Sequence, residues 1–147
     1  MSLVLVPQVR SLKFREQQSR HELAQLMLVK WGASSDTGTL RVQNEDSFLA
    51  EEKIFVVADG MGGHNAGEVA SAMAIKMLAE AQANGISDAS QLAKVIEQIN
   101  HSIFHAAAKQ TDQRGMGTTL AVLALTPNET TNEVSAAVAN IGDSRTY

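Results

Sequence analysis

Lys53-Ile54-Phe55-Val56-Val57-Ala58-Asp59-Gly60-Met61-Gly62-Gly63-His64 is the stretch on which the reading of this chain turns. Its first six residues are a nearly unbroken β-branched and aromatic run, which predicts a strand buried on both faces. That strand ends on Asp59-Gly60, and Gly60, Gly62, Gly63 and Gly67 then punctuate a tight loop. An alanine-rich helix is expected from near Ala66, with Val69, Met73 and Met77 four apart and Asn84-Gly85 closing it. A strand running into such a loop can fix the Asp59 carboxylate while Gly60 exposes its carbonyl oxygen beside it. Two converging oxygen donors suit a hard divalent cation such as Mg²⁺ or Mn²⁺, which prefers carboxylate, carbonyl and water ligands. Taken alone, an Asp-Gly pair is more commonly an ordinary turn.

Toward the N-terminus, Arg41-Val42-Gln43-Asn44-Glu45-Asp46 places an anion binder and two adjacent carboxylates in one short segment. Arginine presents a planar fork that matches two phosphate oxygens, and Asp46 could order water around a cation. The bland alternative is a charged, solvated strand. Strands are expected over residues 26–33 and 41–48, joined by the polar loop Ser34-Ser35-Asp36-Thr37-Gly38. Residues 1–24 carry Arg10, Lys13, Arg15 and Arg20 without a sustained apolar period. They are expected to be an appendage, a frayed or weakly helical tail, ahead of a domain over residues 25–147.

Toward the C-terminus, Ser87 or Asp88 can cap a second helix whose apolar face is Leu92, Val95, Ile96, Ile99 and Ile103, ending near Gln110. Residues 117–126 and 133–141 then read as an antiparallel hairpin. After the second of these strands, Asp143 in Gly142-Asp143-Ser144-Arg145 repeats the placement of Asp59 at a strand end, again with a turn as the plainer reading. His64 could serve as a general acid or be an exposed helix-entry residue. His101 and His105 have the spacing of metal-binding histidines, but the glutamate of the zinc-protease pattern and a third ligand are missing, so a structural or solvated role is expected.

The chain has 147 residues, 44% hydrophobic and 19% charged, which is ordinary globular composition. A net charge of −4 leaves no basic stripe for nucleic-acid phosphates or anionic lipid heads, so neither nucleic acid nor membrane is expected as a partner. No apolar run reads as a secretory signal or a bilayer span, and a cytoplasmic location is the default expectation. The absence of cysteine rules out a disulfide, a thiolate metal site and a cysteine nucleophile.

Four ordered segments together resemble the metal-dependent protein phosphatases of the PPM family, most closely its bacterial branch. They are Ser35-Asp36-Thr37-Gly38 with Arg41 and Asn44-Glu45-Asp46; Ala58-Asp59-Gly60-Met61-Gly62-Gly63-His64 with Gly67-Glu68-Val69-Ala70-Ser71; Gly115-Met116-Gly117-Thr118-Thr119; and Asn140-Ile141-Gly142-Asp143-Ser144-Arg145. The resemblance implies an α+β fold, a β-sandwich of two antiparallel sheets flanked by helices, incomplete in this chain. It implies two or three Mn²⁺ or Mg²⁺ ions, with Asp59 bridging two of them, Gly60 as a carbonyl ligand, Asp46 as a water-mediated ligand and Asp143 near a third. Arg41 matches the family's substrate-phosphate clamp, and His64 loosely matches the histidine proposed as general acid. The implied activity is direct hydrolysis of phosphoserine or phosphothreonine on proteins, with a serine/threonine kinase or its substrates as counterparts. The family's further aspartates fall beyond Tyr147, so the chain looks like the N-terminal part of the domain. It is expected to have little or no activity alone and to risk folding poorly.

Two other readings stand beside this one. A non-catalytic, phosphatase-like module that binds a partner would tolerate the missing residues, although retention of Arg41 and Asp59 speaks against it. A nucleotide-binding protein would use the glycine loop, but that loop lacks the lysine of a P-loop.

Overall fold

The computed structural model describes residues 8–13, 31–40, 42–63, 66–128 and 133–147. Among them, six strands form one antiparallel sheet: β1 (Gln8–Lys13), β2 (Asp46–Glu51), β3 (Ile54–Met61), β4 (Gly117–Thr118), β5 (Leu120–Asn128) and β6 (Glu133–Ile141). The order across the sheet is β1-β6-β5-β3-β2, and the short β4 pairs with the end of β3. The described residues also form two helices, α1 (Ala66–Ala83) and α2 (Ala89–Lys109), and a 3₁₀ turn at Thr111–Gln113.

Both helices cover the same face of the sheet. Ile54, Val56 and Ala58 of β3, Leu120, Val122 and Ala124 of β5 and Ala137 and Ala139 of β6 point into a shared core. Across from them lie Ala66, Ala70, Ala74 and Leu78 of α1 and Leu92, Ile96, Ile99 and Ile103 of α2. The buried row of α1 is therefore small, and it lets the helix axis settle close to β3. Val69, Met73 and Met77, the row that the sequence suggested as the apolar side, are only partly buried and pack at the margin of this core.

The helix ends follow local rules. Alanine favours the helical backbone along α1, and Gly85 stops it with φ +87° while its N–H donates to the Gln82 carbonyl at 2.9 Å. Asp88 caps α2, its carboxylate accepting from the Gln91 N–H at 2.8 Å. The β5–β6 hairpin runs in register from Leu120 opposite Ile141 to Asn128 opposite Glu133, two residues further along β5 than the sequence suggested.

Several local expectations need correction. β3 is buried on one face only: its burial alternates, and Val57 is 54% exposed on the side away from the helices. The expected α+β architecture of antiparallel sheet with flanking helices is present, as one sheet among the described residues. The segment expected as a frayed or weakly helical tail contains β1, which pairs with β6 from Gln8 opposite Asn140 to Lys13 opposite Ser135. Ladder pairing to an existing edge needs no apolar period in the added strand, so periodicity could not reveal it. The strand expected over residues 41–48 begins only at Asp46, after a bend, because the Asn44 side chain accepts the Asp46 N–H at 3.0 Å and turns the chain there. Of the strand expected over residues 26–33, residues 26–30 lie outside the described residues, and residues 31–33 are not in a strand.

Candidate metal centre

β2 and β3 are paired so that Asp46 lies directly opposite Asp59. Ala58 and Gly60, the neighbours of Asp59, are buried toward the helices, so strand alternation turns Asp59 to the other face, where it is exposed. Asp46 is exposed as well, while its neighbour Ser47 reaches the other way to the α1 hydroxyl of Ser71 at 3.0 Å. The two carboxylates therefore stand side by side on one face, with β-carbons about 4.5–5.5 Å apart as for any directly opposed pair. Like charges in this arrangement repel.

The backbone carrying the pair is held from three sides. Gly60 donates its N–H to the Glu45 carbonyl at 3.2 Å, and the same carbonyl accepts the Ser71 hydroxyl at 2.6 Å. Ser71 is fully buried, and its single proton faces two carbonyls, Glu45 at 2.6 Å and Glu68 at 3.2 Å, which leaves Ser47 to donate to Ser71. Gly60 and Gly67 meet back to back, and a Cβ on Gly60 would overlap the Gly67 and Glu45 carbonyl oxygens. On the remaining side, Thr119 donates its N–H to the Asp59 carbonyl at 2.9 Å and accepts the Asp59 N–H on its hydroxyl oxygen at 3.1 Å. Gln43 links the preceding bend to α1 through a 2.9 Å hydrogen bond to the Glu68 carboxylate.

Asp143 belongs to the same end of the sheet. It is exposed in the segment after β6, next to Gly142, whose φ of +89° favours glycine. Ser144, the next residue, brings its hydroxyl to within 2.7 Å of the Thr119 hydroxyl. The structure thus gathers Asp46, Asp59, Gly60 and Asp143 at one end of one sheet. Arg41 and His64 lie outside the described residues. His101 and His105 are exposed on α2, where the His105 ring meets Phe104 edge-on at 6.2 Å.

The donor set fits a hard cation in part. Among the described residues, no three His, Asp or Glu side chains form a ready-made cage. Two opposed carboxylates with adjacent backbone oxygens suit Mg²⁺ or Mn²⁺, which keep several waters when bound, and neutralisation by a cation would remove the repulsion between Asp46 and Asp59. Nitrogen and sulfur ligands of the kind that zinc favours are not part of this group.

The sequence model described as "Protein phosphatase 2C" matches residues 41–147. The chain belongs to the protein phosphatase 2C family. It is 38% identical over 124 residues to the serine/threonine phosphatase stp of Listeria innocua, covering 77% of this chain and 47% of that protein. It is 36% identical over 123 residues to the serine/threonine protein phosphatase PstP of Mycobacterium tuberculosis, covering 82% of this chain and 23% of PstP. The chain thus spans at most about half the length of these curated phosphatase 2C relatives. The fold is similar to that of the crystal structure of M. tuberculosis PstP, with a TM-score of 0.63 at 30% identity over 96% of this chain and 49% of that one. It is also similar to the PstP catalytic domain crystallised with two manganese ions, with a TM-score of 0.64 at 29% identity over 95% of this chain and 50% of that one.

Ser71 and Thr119 lie inside two of the motifs, and their sequence context assigns a role to neither. Both are buried hydroxyls that bond the backbone of the carboxylate strands. The signal was present as two threonines following Gly117 and a serine on the buried row of an alanine helix, but only pairing shows what they hold.

Proposed function

We propose that this chain carries the N-terminal part of a metal-dependent phosphatase acting on phosphoserine and phosphothreonine in proteins, with a serine/threonine kinase or its substrates as counterparts. The observation that carries this reading is the placement of Asp46 opposite Asp59 on one exposed face at a clamped strand end, in a chain of the protein phosphatase 2C family. Asp59 and the Gly60 carbonyl would hold the cations, Asp46 would engage them through water, and Asp143 would serve a further ion. Bound Mn²⁺ or Mg²⁺ would supply an acidified water and neutralise charge developing on the phosphoryl oxygens. Asp46 orients water by accepting its hydrogen bonds, Arg41 clamps the phosphate through its planar fork, and His64 offers a proton to the departing alkoxide. With only two opposed carboxylates among the described residues, hydrolysis by this chain alone is expected to be weak, so cation binding is the more sensitive readout.

The test is a Mn²⁺ titration followed by electron paramagnetic resonance, paired with p-nitrophenyl phosphate hydrolysis, on the chain and on its Asp59→Asn variant. Loss of the higher-affinity Mn²⁺, and of any hydrolysis, in Asp59→Asn is expected. Mn²⁺ binding of equal affinity in both proteins would sink the assignment. A phosphopeptide held by the chain without any turnover would favour a non-catalytic binding module.

A further inference from the structure

We propose that Thr119 is a positioning residue that joins the Asp59 strand end to the Asp143 segment, setting the two carboxylates relative to each other for divalent-cation binding. The proposal rests on the metal reading above, but its geometry is independent of it. The register that sets Val57 opposite Ala121 and Gly60 opposite Thr118 places Thr119 opposite Asp59. A regular hydrogen-bonded pair of this kind exchanges two backbone bonds. Here one is regular, from the Thr119 N–H to the Asp59 carbonyl at 2.9 Å, and the other is made by a side chain, from the Asp59 N–H to Thr119 Oγ1 at 3.1 Å. The Thr118 hydroxyl lies 3.0 Å from both the Thr119 carbonyl, released from that rung, and the Asp59 carbonyl, and its one proton is shared between them.

The substitution matters because Thr119 Oγ1 faces two ways. It is 2.7 Å from Ser144 Oγ, and the Thr119 methyl lies 2.9 Å from where a Cβ on Gly142 would sit. Thr119 is 4% exposed, so these contacts are shielded from water. A hydroxyl has one proton and two lone pairs. Whichever of Thr119 and Ser144 donates to the other, one lone pair of Thr119 remains for the Asp59 N–H. One buried oxygen therefore bonds the backbone of Asp59 and the side chain of Ser144, the residue next to Asp143 and 85 positions later in the chain than Asp59. A backbone carbonyl in its place would fix Asp59 but could not reach Ser144 through a side chain.

The experiment compares the chain with Thr119→Val, which keeps the shape and removes the hydroxyl, and Thr119→Ser, which keeps the hydroxyl and removes the methyl. Two quantities are read: hydrogen exchange of the Asp59 amide without metal, by NMR, and Mn²⁺ affinity by electron paramagnetic resonance. Thr119→Val is expected to speed Asp59 exchange, because the amide loses its acceptor, and to weaken Mn²⁺ about tenfold, the scale found when the groups that orient metal ligands are lost. Thr119→Ser is expected to restore both. A Val variant equal to the unaltered chain in both readouts overturns the proposal, as does a Ser variant as impaired as Val. If Mn²⁺ binding proves indifferent to Asp59→Asn, the metal reading fails and the positioning proposal with it, while unchanged exchange in Val would overturn the joint alone. Should the Val variant not fold, Ser144→Ala breaks the same joint from its half-buried side. Mn²⁺ binding weakened severalfold then supports the joint, and unchanged binding overturns it.

Discussion

Gly60 is the residue on which the candidate site depends most directly for its position. Its α-carbon faces the Gly67 carbonyl so closely that one added methyl would drive β3 and α1 apart. Gly60→Ala is therefore expected to destabilise the fold by about 1–3 kcal/mol or more, the usual range for overpacking, as measured by urea unfolding. It should also weaken Mn²⁺, because Asp59 moves with the strand. Ser71 acts on the other carboxylate strand. Removal of its buried hydroxyl in Ser71→Ala leaves the Glu45 carbonyl with one partner fewer, at a cost of about 1–3 kcal/mol by the same measurement. The residues that bear the chemistry were legible because aspartates at strand ends beside glycines form a compact, ordered pattern. The residues that hold them were not, since a buried serine in an alanine helix is indistinguishable by composition from any small packing residue.

Helix α2 shows how far local signals reach at the scale of the element. Its cap, apolar face and end were all readable, because each is decided within a turn or two of chain. The backbone N–H of Gln91, helped by the Ser87 hydroxyl, holds the Asp88 carboxyl below its ordinary value. A lowered native pKa means that the cap contributes fully once the unfolded-state carboxyl is ionised, above about pH 4. That contribution fades as pH falls further, through the lowered native value. Asp88→Ala is expected to cost about 1 kcal/mol at neutral pH and progressively less in acid, which urea unfolding at several pH values will show. β1 is the opposite case. It is a strand by virtue of the β6 edge it pairs with, and a polar segment offers no period by which that pairing could be foreseen.

Across the whole molecule, the sheet has one face packed by helices and an opposite face that the described residues cover only in part, the Trp31 ring meeting Phe55 edge-on at 6.3 Å. Phe48 and Val57 stand 43% and 54% exposed on that opposite face, and Phe55 and Leu123 are half-buried there. Ile54 and Val57 therefore make a paired test of sidedness within one strand. Ile54→Ala, on the packed face, is expected to cost about 2–5 kcal/mol, whereas Val57→Ala should cost well under half as much. Equal losses in urea unfolding would mean that the opposite face is fully covered in solution. Among the described residues no helix is long and apolar enough to cross a membrane.

The sequence by itself determined the strand that carries Asp59, though not its end at Met61, the two helices with their caps, the β5–β6 hairpin and the ordered motifs of the phosphatase family. These depend on periodicity, turn chemistry and residue type over short spans, all of which survive in a linear string. Only the tertiary structure decided that Asp46 faces Asp59, that Gly60 rests on Gly67, and that Thr119 joins Asp59 to the Asp143 segment. Such contacts depend on strand register and helix approach. A slip of one residue would turn Asp59 to the opposite face without changing any local preference, so the position of the site is a property of pairing.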